Sequence, residues 1–187
     1  EDALGCAQGA PPPLGPPGIA FWVEPAPARG MRQRRGVRLS QSGGVYQVAE
    51  GISFAVIVEA TSNPLSQAGF SLAQAGDPTS GNPEALLVSC DRALGDPPGG
   101  GAGAGENLAP RFLRDIDLWS DPIFLVERVA LRVDGGSALA PAPGRYRFQA
   151  RVVDLACASS PTASFDLEVL PSREPEIHLW VEGDLAG

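Results

Sequence analysis

Apolar and polar residues alternate with a period of two along much of the chain. From Gly144 to Asp154, Tyr146, Phe148, Ala150 and Val152 fall on one side, and Arg145, Arg147, Gln149 and Arg151 on the other. This is the signature of a strand with one face in a core and one in water. Gly18 to Glu24 repeats it with Ile19, Phe21 and Val23 on one face, and Val37–Ser40 and Val45–Val48 repeat it about a Gly43-Gly44 reversal, which predicts a hairpin. Ile52 to Glu59 is almost continuously apolar and is predicted to be the strongest strand. Leu86–Cys90, Phe124–Val133 and Ser164–Val169 are further strand candidates, with a turn at Asp134-Gly135-Gly136. No long apolar period of 3.6 residues occurs, and Pro110 to Trp119 is the one stretch predicted as a helical turn. Many short strands without alternating helices predict an all-β fold, an immunoglobulin-like antiparallel β-sandwich.

Punctuation divides the chain. Pro11-Pro12-Pro13 and Pro16-Pro17 fix φ and remove amide donors, so residues 1–17 are predicted to be an extended Pro-rich N-terminal arm. Residues 18–171 are predicted to form a single sandwich. Residues 61–84 are rich in turn signals, and the Gly-rich stretch 95–107 reads as a loop. A domain boundary there would leave about 75 residues before it, a thin sandwich by itself, so a long loop within one domain is expected. Residues 172–187 are predicted to be a strand-forming C-terminal extension.

The 187 residues are 43% hydrophobic, enough for a core, and their 23 glycines and 19 prolines suit short strands joined by turns. All 14 basic residues are arginine and the net charge is −8. Without lysine, neither a Schiff-base nor a P-loop mechanism is open to the chain. An acidic chain is a poor nucleic-acid binder. The longest apolar run, Ile52–Val58, is far short of the ~20 residues of a membrane span. The three cysteines, Cys6, Cys90 and Cys157, contain no CxxC pair. In an extracellular or cell-surface protein, Cys90 and Cys157, both at predicted strand ends, are the expected disulfide, leaving Cys6 in the arm. Three free thiols in a reducing compartment is the alternative.

Pro143–Asp154, with a glycine before a tyrosine and alternating apolar residues running to an aspartate, resembles the penultimate strand of bacterial immunoglobulin-like and cadherin-like surface modules. Ala163–Val169 is similar to the last strand of such modules. Val48-Ala49-Glu50-Gly51 resembles calcium-exchanger-type β modules. The resemblance covers residues 37–60 and 123–170. It implies a sandwich whose Tyr146 hydroxyl bonds to backbone upstream, and a role in adhesion or surface architecture at the level of fold.

Catalysis finds little support. The sole histidine is His178, no GxSxG elbow occurs, and no carboxylate pair stands out. The chain is therefore read as a non-enzyme that needs no cofactor. Asp115, Asp117 and Asp121 are weak calcium candidates, with a solvated acidic loop as the simpler reading. Arg29, Arg32, Arg34, Arg35 and Arg38 fall within ten residues that hold no acid. They form an anion-seeking patch for an acidic polysaccharide, a lipid phosphate or the acidic face of an identical chain, or else a solvated loop.

The two ends carry a near-repeat. Pro17, Ile19, Trp22, Val23 and Glu24 coincide with Pro175, Ile177, Trp180, Val181 and Glu182 at a constant offset of 158. The second copy is the start of a further module, a pseudo-symmetric edge strand, or a strand donated to another subunit. The third is the preferred expectation. Ile177, Leu179, Trp180 and Val181 would be the donated strand, and Ile19, Phe21, Trp22 and Val23 the receiving or equivalent edge. The function expected is an extracellular structural or adhesive subunit that joins identical subunits head to tail, as a filament or surface layer. The alternative is a monomeric glycan- or calcium-binding module of a larger surface protein.

Overall fold

The computed structural model describes residues 15–26, 38–63, 86–92, 107–121 and 126–172, and for 114–121 the backbone alone. The described elements are β1 (Gly18–Pro25), β2 (Gln41–Ser42), β3 (Val45–Ala49), β4 (Phe54–Thr61), β5 (Leu86–Arg92), the helical turn α1 (Ala109–Phe112), β6 (Leu113–Asp121), β7 (Val126–Val133), β8 (Gly144–Val152) and β9 (Ala163–Leu170). They form a four-stranded sheet in the order β1-β4-β7-β6 and a five-stranded sheet in the order β2-β3-β9-β8-β5. In immunoglobulin lettering the first sheet is A-B-E-D, and the second contains C, F and G as β5, β8 and β9. The all-β sandwich expected from alternation is present. One pairing departs from the antiparallel expectation: β3 runs parallel to β9. The chain leaves β1 in one sheet, enters the other and lies along its last strand.

The core follows the registers. Val23 pairs with Val56 and Val56 with Leu131, while Phe21 pairs with Val58 and Val58 with Val129, so alternate residues of three strands face inward together. The second sheet supplies Phe165, whose ring lies 4.6 Å from Phe21, 5.2 Å from Tyr46 and 5.2 Å from Phe148. Strand β4 is apolar on both sides because both sides are covered: Val56 and Val58 face inward, and Ile57, on the opposite face, is as fully buried.

Several boundaries differ from expectation. Ile52 lies outside β4 and is 57% exposed. Its amide donates to the Ala49 carbonyl in the turn that links β3 and β4. The helical turn expected within Pro110–Trp119 forms over Ala109–Phe112, and Leu113 is already extended at φ −84°, ψ 124°. The remainder is β6, paired with β7 from Leu113 to Asp121 with a register shift between Arg114 and Ile116. The glycine hairpin forms as expected, with Gly43 at φ +59° and Gly44 at φ +82°, both in the left-handed region that glycine enters at least cost.

The Cys90–Cys157 pairing is overturned. Cys90 is a free thiol with no exposed surface. It follows Leu86 and Val88 on the inward face of β5 and sits opposite Phe148 in register. Cys157 instead belongs to the turn after β8, so a shared position at strand ends did not bring the two together. Burial, with a smaller contribution from the charge of Asp91, pushes the Cys90 thiol well above its ordinary range.

Candidate functional site

Strand β1 is an edge of the four-stranded sheet, and its two faces do different things. Ile19, Phe21 and Val23 point toward the second sheet. Trp22 and Glu24 point the other way, yet they are only 3% and 1% exposed. A buried carboxylate is costly unless it is paired and hydrogen-bonded. Here the Trp22 indole N–H donates to Glu24 Oε1 at 2.9 Å, and the Arg128 guanidinium, from β7, donates to the same oxygen as an ion pair. The Arg128 guanidinium carbon lies 5.0 Å from the Trp22 ring centroid and that of Arg38 4.2 Å, so two cations share one indole. Residues before β2 also reach this edge, since the Leu39 amide donates to the Val23 carbonyl at 2.9 Å. Backbone alternation places the N–H and C=O of Ile19 and Phe21 on the same outward side as those of Val23.

The structure thus gathers part of the expected set. Trp22 and Val23 are buried, and Ile19 and Phe21 half-buried, on one edge strand. Arg38, exposed, stands beside them, while Arg29, Arg32, Arg34 and Arg35 lie outside the described residues, as do Ile177, Leu179, Trp180 and Val181. Asp115, Asp117 and Asp121 belong to the backbone of β6, the opposite edge, rather than to a loop; Asp117 stands opposite Ala130, and Asp121 opposite Val126. Among the described residues no group of three His, Cys, Asp or Glu side chains could hold a metal ion. No helix among them is long and apolar enough to cross a membrane. Sequence reasoning missed Glu24 and Arg128. A Trp-x-Glu spacing in a strand announces that the two side chains share a face, but nothing local points to an arginine 104 residues away.

The five-stranded sheet turns an ordinary charged face to water. Arg147 donates to Asp166 through Nε at 2.8 Å and Nη2 at 3.1 Å, and Gln47 donates to Glu168 at 2.8 Å.

No family model matches the chain, and no curated protein matches it. Solved structures do match, among them a chain described as "GspB Siglec domain". It is 14% identical with a TM-score of 0.44, and the alignment covers 87% of this chain and 64% of that one. This chain therefore spans less than two thirds of that structure's length. The immunoglobulin-like architecture is read from this chain's own strand order, and the kinship with bacterial surface modules gains no family-level support.

Proposed function

We propose that this chain is a structural or adhesive module of the cell exterior that joins identical copies end to end. Residues 173–187 of one copy add as a strand to the β1 edge of the next. The observation that carries this reading is the near-repeat set against the roles of its first copy. Beyond the alternation of Ile19, Phe21 and Val23, the repeated positions include Trp22 and Glu24, the couple held by Arg128. Ile177, Leu179, Trp180, Val181 and Glu182 repeat the pattern of a strand already fitted to this sheet. Outward backbone groups of β1 at Ile19 and Phe21, ahead of the Val23 carbonyl that the Leu39 amide already uses, supply hydrogen bonds to an added strand, and burial of Ile177, Leu179 and Val181 supplies the apolar contribution.

Charge supports the same pairing. Residues 173–187 hold four carboxylates, Glu174, Glu176, Glu182 and Asp184, against one arginine. The segment from Arg29 to Arg38 holds five arginines and no acid and ends beside Trp22. An acidic strand and a basic rim steer each other and set register. The contact is heterologous, so a geometry that does not close yields a filament.

The test compares the whole chain with one lacking residues 173–187, by light scattering coupled to sizing and by negative-stain microscopy over a concentration series. The whole chain is expected to grow into multimers with concentration, while the truncated chain stays a folded monomer. A whole chain that remains monomeric throughout, or a truncated chain that assembles equally well, overturns the proposal.

A further inference from the structure

We infer that Cys157 is joined to Cys6, so that a disulfide straps the N-terminal arm onto the β8–β9 connection. The chain has three cysteines. Cys157 is disulfide-bonded, whereas Cys90 is a free thiol in the core. In a single chain this leaves Cys6 as the partner of Cys157. The inference is independent of the strand-addition reading and removes Cys6 as a link between copies.

The anchor is built for the purpose. The Asp154 side chain is fully buried, and its Oδ1 accepts from the Ala156 amide at 2.9 Å and the Ala158 amide at 2.8 Å. The Asp154 amide donates to the Ala158 carbonyl at 3.0 Å, and the Cys157 amide donates to the Asp154 carbonyl at 2.9 Å. This clasp holds Cys157 at φ +66°, a conformation that side-chain-bearing residues seldom adopt. The turn therefore holds the half-buried Cys157 in a fixed place outside the apolar core, while alternation along β5 sends Cys90 into it. The cross-link closes a loop of about 150 residues, and a closed loop of that length limits the unfolded chain strongly.

Formation requires two thiols to lose two protons and two electrons. The acceptor is a protein or small-molecule disulfide, as found in oxidising compartments. One thiolate attacks it to form a mixed disulfide, and the second displaces the acceptor's sulfur, so the acceptor leaves as two thiols. A compartment that keeps Cys6–Cys157 oxidised fits a location outside the cytoplasm.

The experiment is a peptide map of the whole chain, produced in an oxidising compartment, alkylated while denatured and digested without reduction. Cleavage after arginine places Cys6 in peptide 1–29, Cys90 in 39–92 and Cys157 in 152–173. The expected result is a cross-linked species of peptides 1–29 and 152–173, with Cys90 alkylated only once the fold is lost. In Cys6→Ser the Cys157 thiol should react with a thiol reagent in the folded protein, and reduction should no longer lower the melting temperature. Peptide 39–92 in any cross-link, alkylation of both Cys6 and Cys157, or a covalent dimer through either of them would overturn the assignment.

Discussion

The phenolic hydroxyl of Tyr146 donates to the backbone carbonyl of Ala142 at 2.7 Å. This closes the corner by which the chain enters β8. The residue lies near the start of the strand lettered F, the place where immunoglobulin-like sandwiches put such a tyrosine. Its ring meets Phe112 edge-on at 5.5 Å, so the short α1 turn is packed against the same corner. Tyr146→Phe keeps that packing and deletes one hydrogen bond. It should cost about 1 kcal/mol in chemical denaturation, whereas Tyr146→Ala should cost about 3 kcal/mol or more by adding a cavity. No loss in Tyr146→Phe would mean that the hydroxyl contributes nothing, and equal losses in the two variants would mean that the ring packing contributes nothing.

Arg128 and Glu24 are a buried pair whose members cannot be removed singly without penalty. Arg128→Ala removes the ion-pair partner of the Glu24 carboxylate, which is 1% exposed. A loss of about 3 kcal/mol or more is expected. The double variant Arg128→Met with Glu24→Gln leaves neither member of this pair charged and should be closer to wild type than the single arginine variant. Urea denaturation of Arg128→Ala, of the singles Arg128→Met and Glu24→Gln, and of their double variant checks the order. Additive losses would show that the two side chains are not coupled.

Alternation along 144–154 revealed the strand, its inward Tyr146 and Phe148 and its outward arginines, because a pleat forces every second residue to one side. Gly43-Gly44 revealed the hairpin for an equally local reason. Strand β6 was harder to see. Ile116 and Leu118 alternate with Asp115 and Asp117, but Pro110 suggested a helix start and the aspartates suggested a loop. Pairing with β7 from Leu113 to Asp121 decides the matter, and that pairing lies outside the segment itself. The same limit hid the candidate site. A period of two states which side chains share a face, not which strand lies beside them, so neither the link from Glu24 to Arg128 nor the isolation of Cys90 was legible.

Gly135 is required by close approach rather than by an unusual φ. A Cβ there would stand 2.5 Å from the carbonyl carbons of both Gly51 and Ile52, backbone atoms that cannot swing aside. The Gly135 amide also donates to Ser53 Oγ at 3.1 Å, which joins this turn to the start of β4. Gly135→Ala should therefore cost about 1–3 kcal/mol through overpacking. Its neighbour is the control, because a Cβ on Gly136 meets nothing nearer than Asp134 Oδ1 at 3.6 Å. Thermal melts of the two alanine variants should separate clearly. Indistinguishable melts would show that the two turns are not in contact.

Asp166 supplies a prediction in pH. Its hydrogen bond from Arg147, aided by the charges of Arg147 and Arg145 and opposed by partial burial, holds its carboxyl below the usual carboxylate range. The unfolded chain then binds the proton more readily than the folded one, so stability rises with pH through this window. The contribution is fully present above about pH 4, the ordinary carboxylate value, and disappears as pH falls through the depressed one. Arg147 is 55% exposed at its side chain, so the effect is modest and screened by salt. Asp166→Asn should lower the denaturation midpoint slightly at neutral pH and low ionic strength, and the gap from wild type should close on acidification toward pH 2 or on adding molar salt. A gap that persists in acid would assign the loss to packing of the new amide rather than to the ion pair.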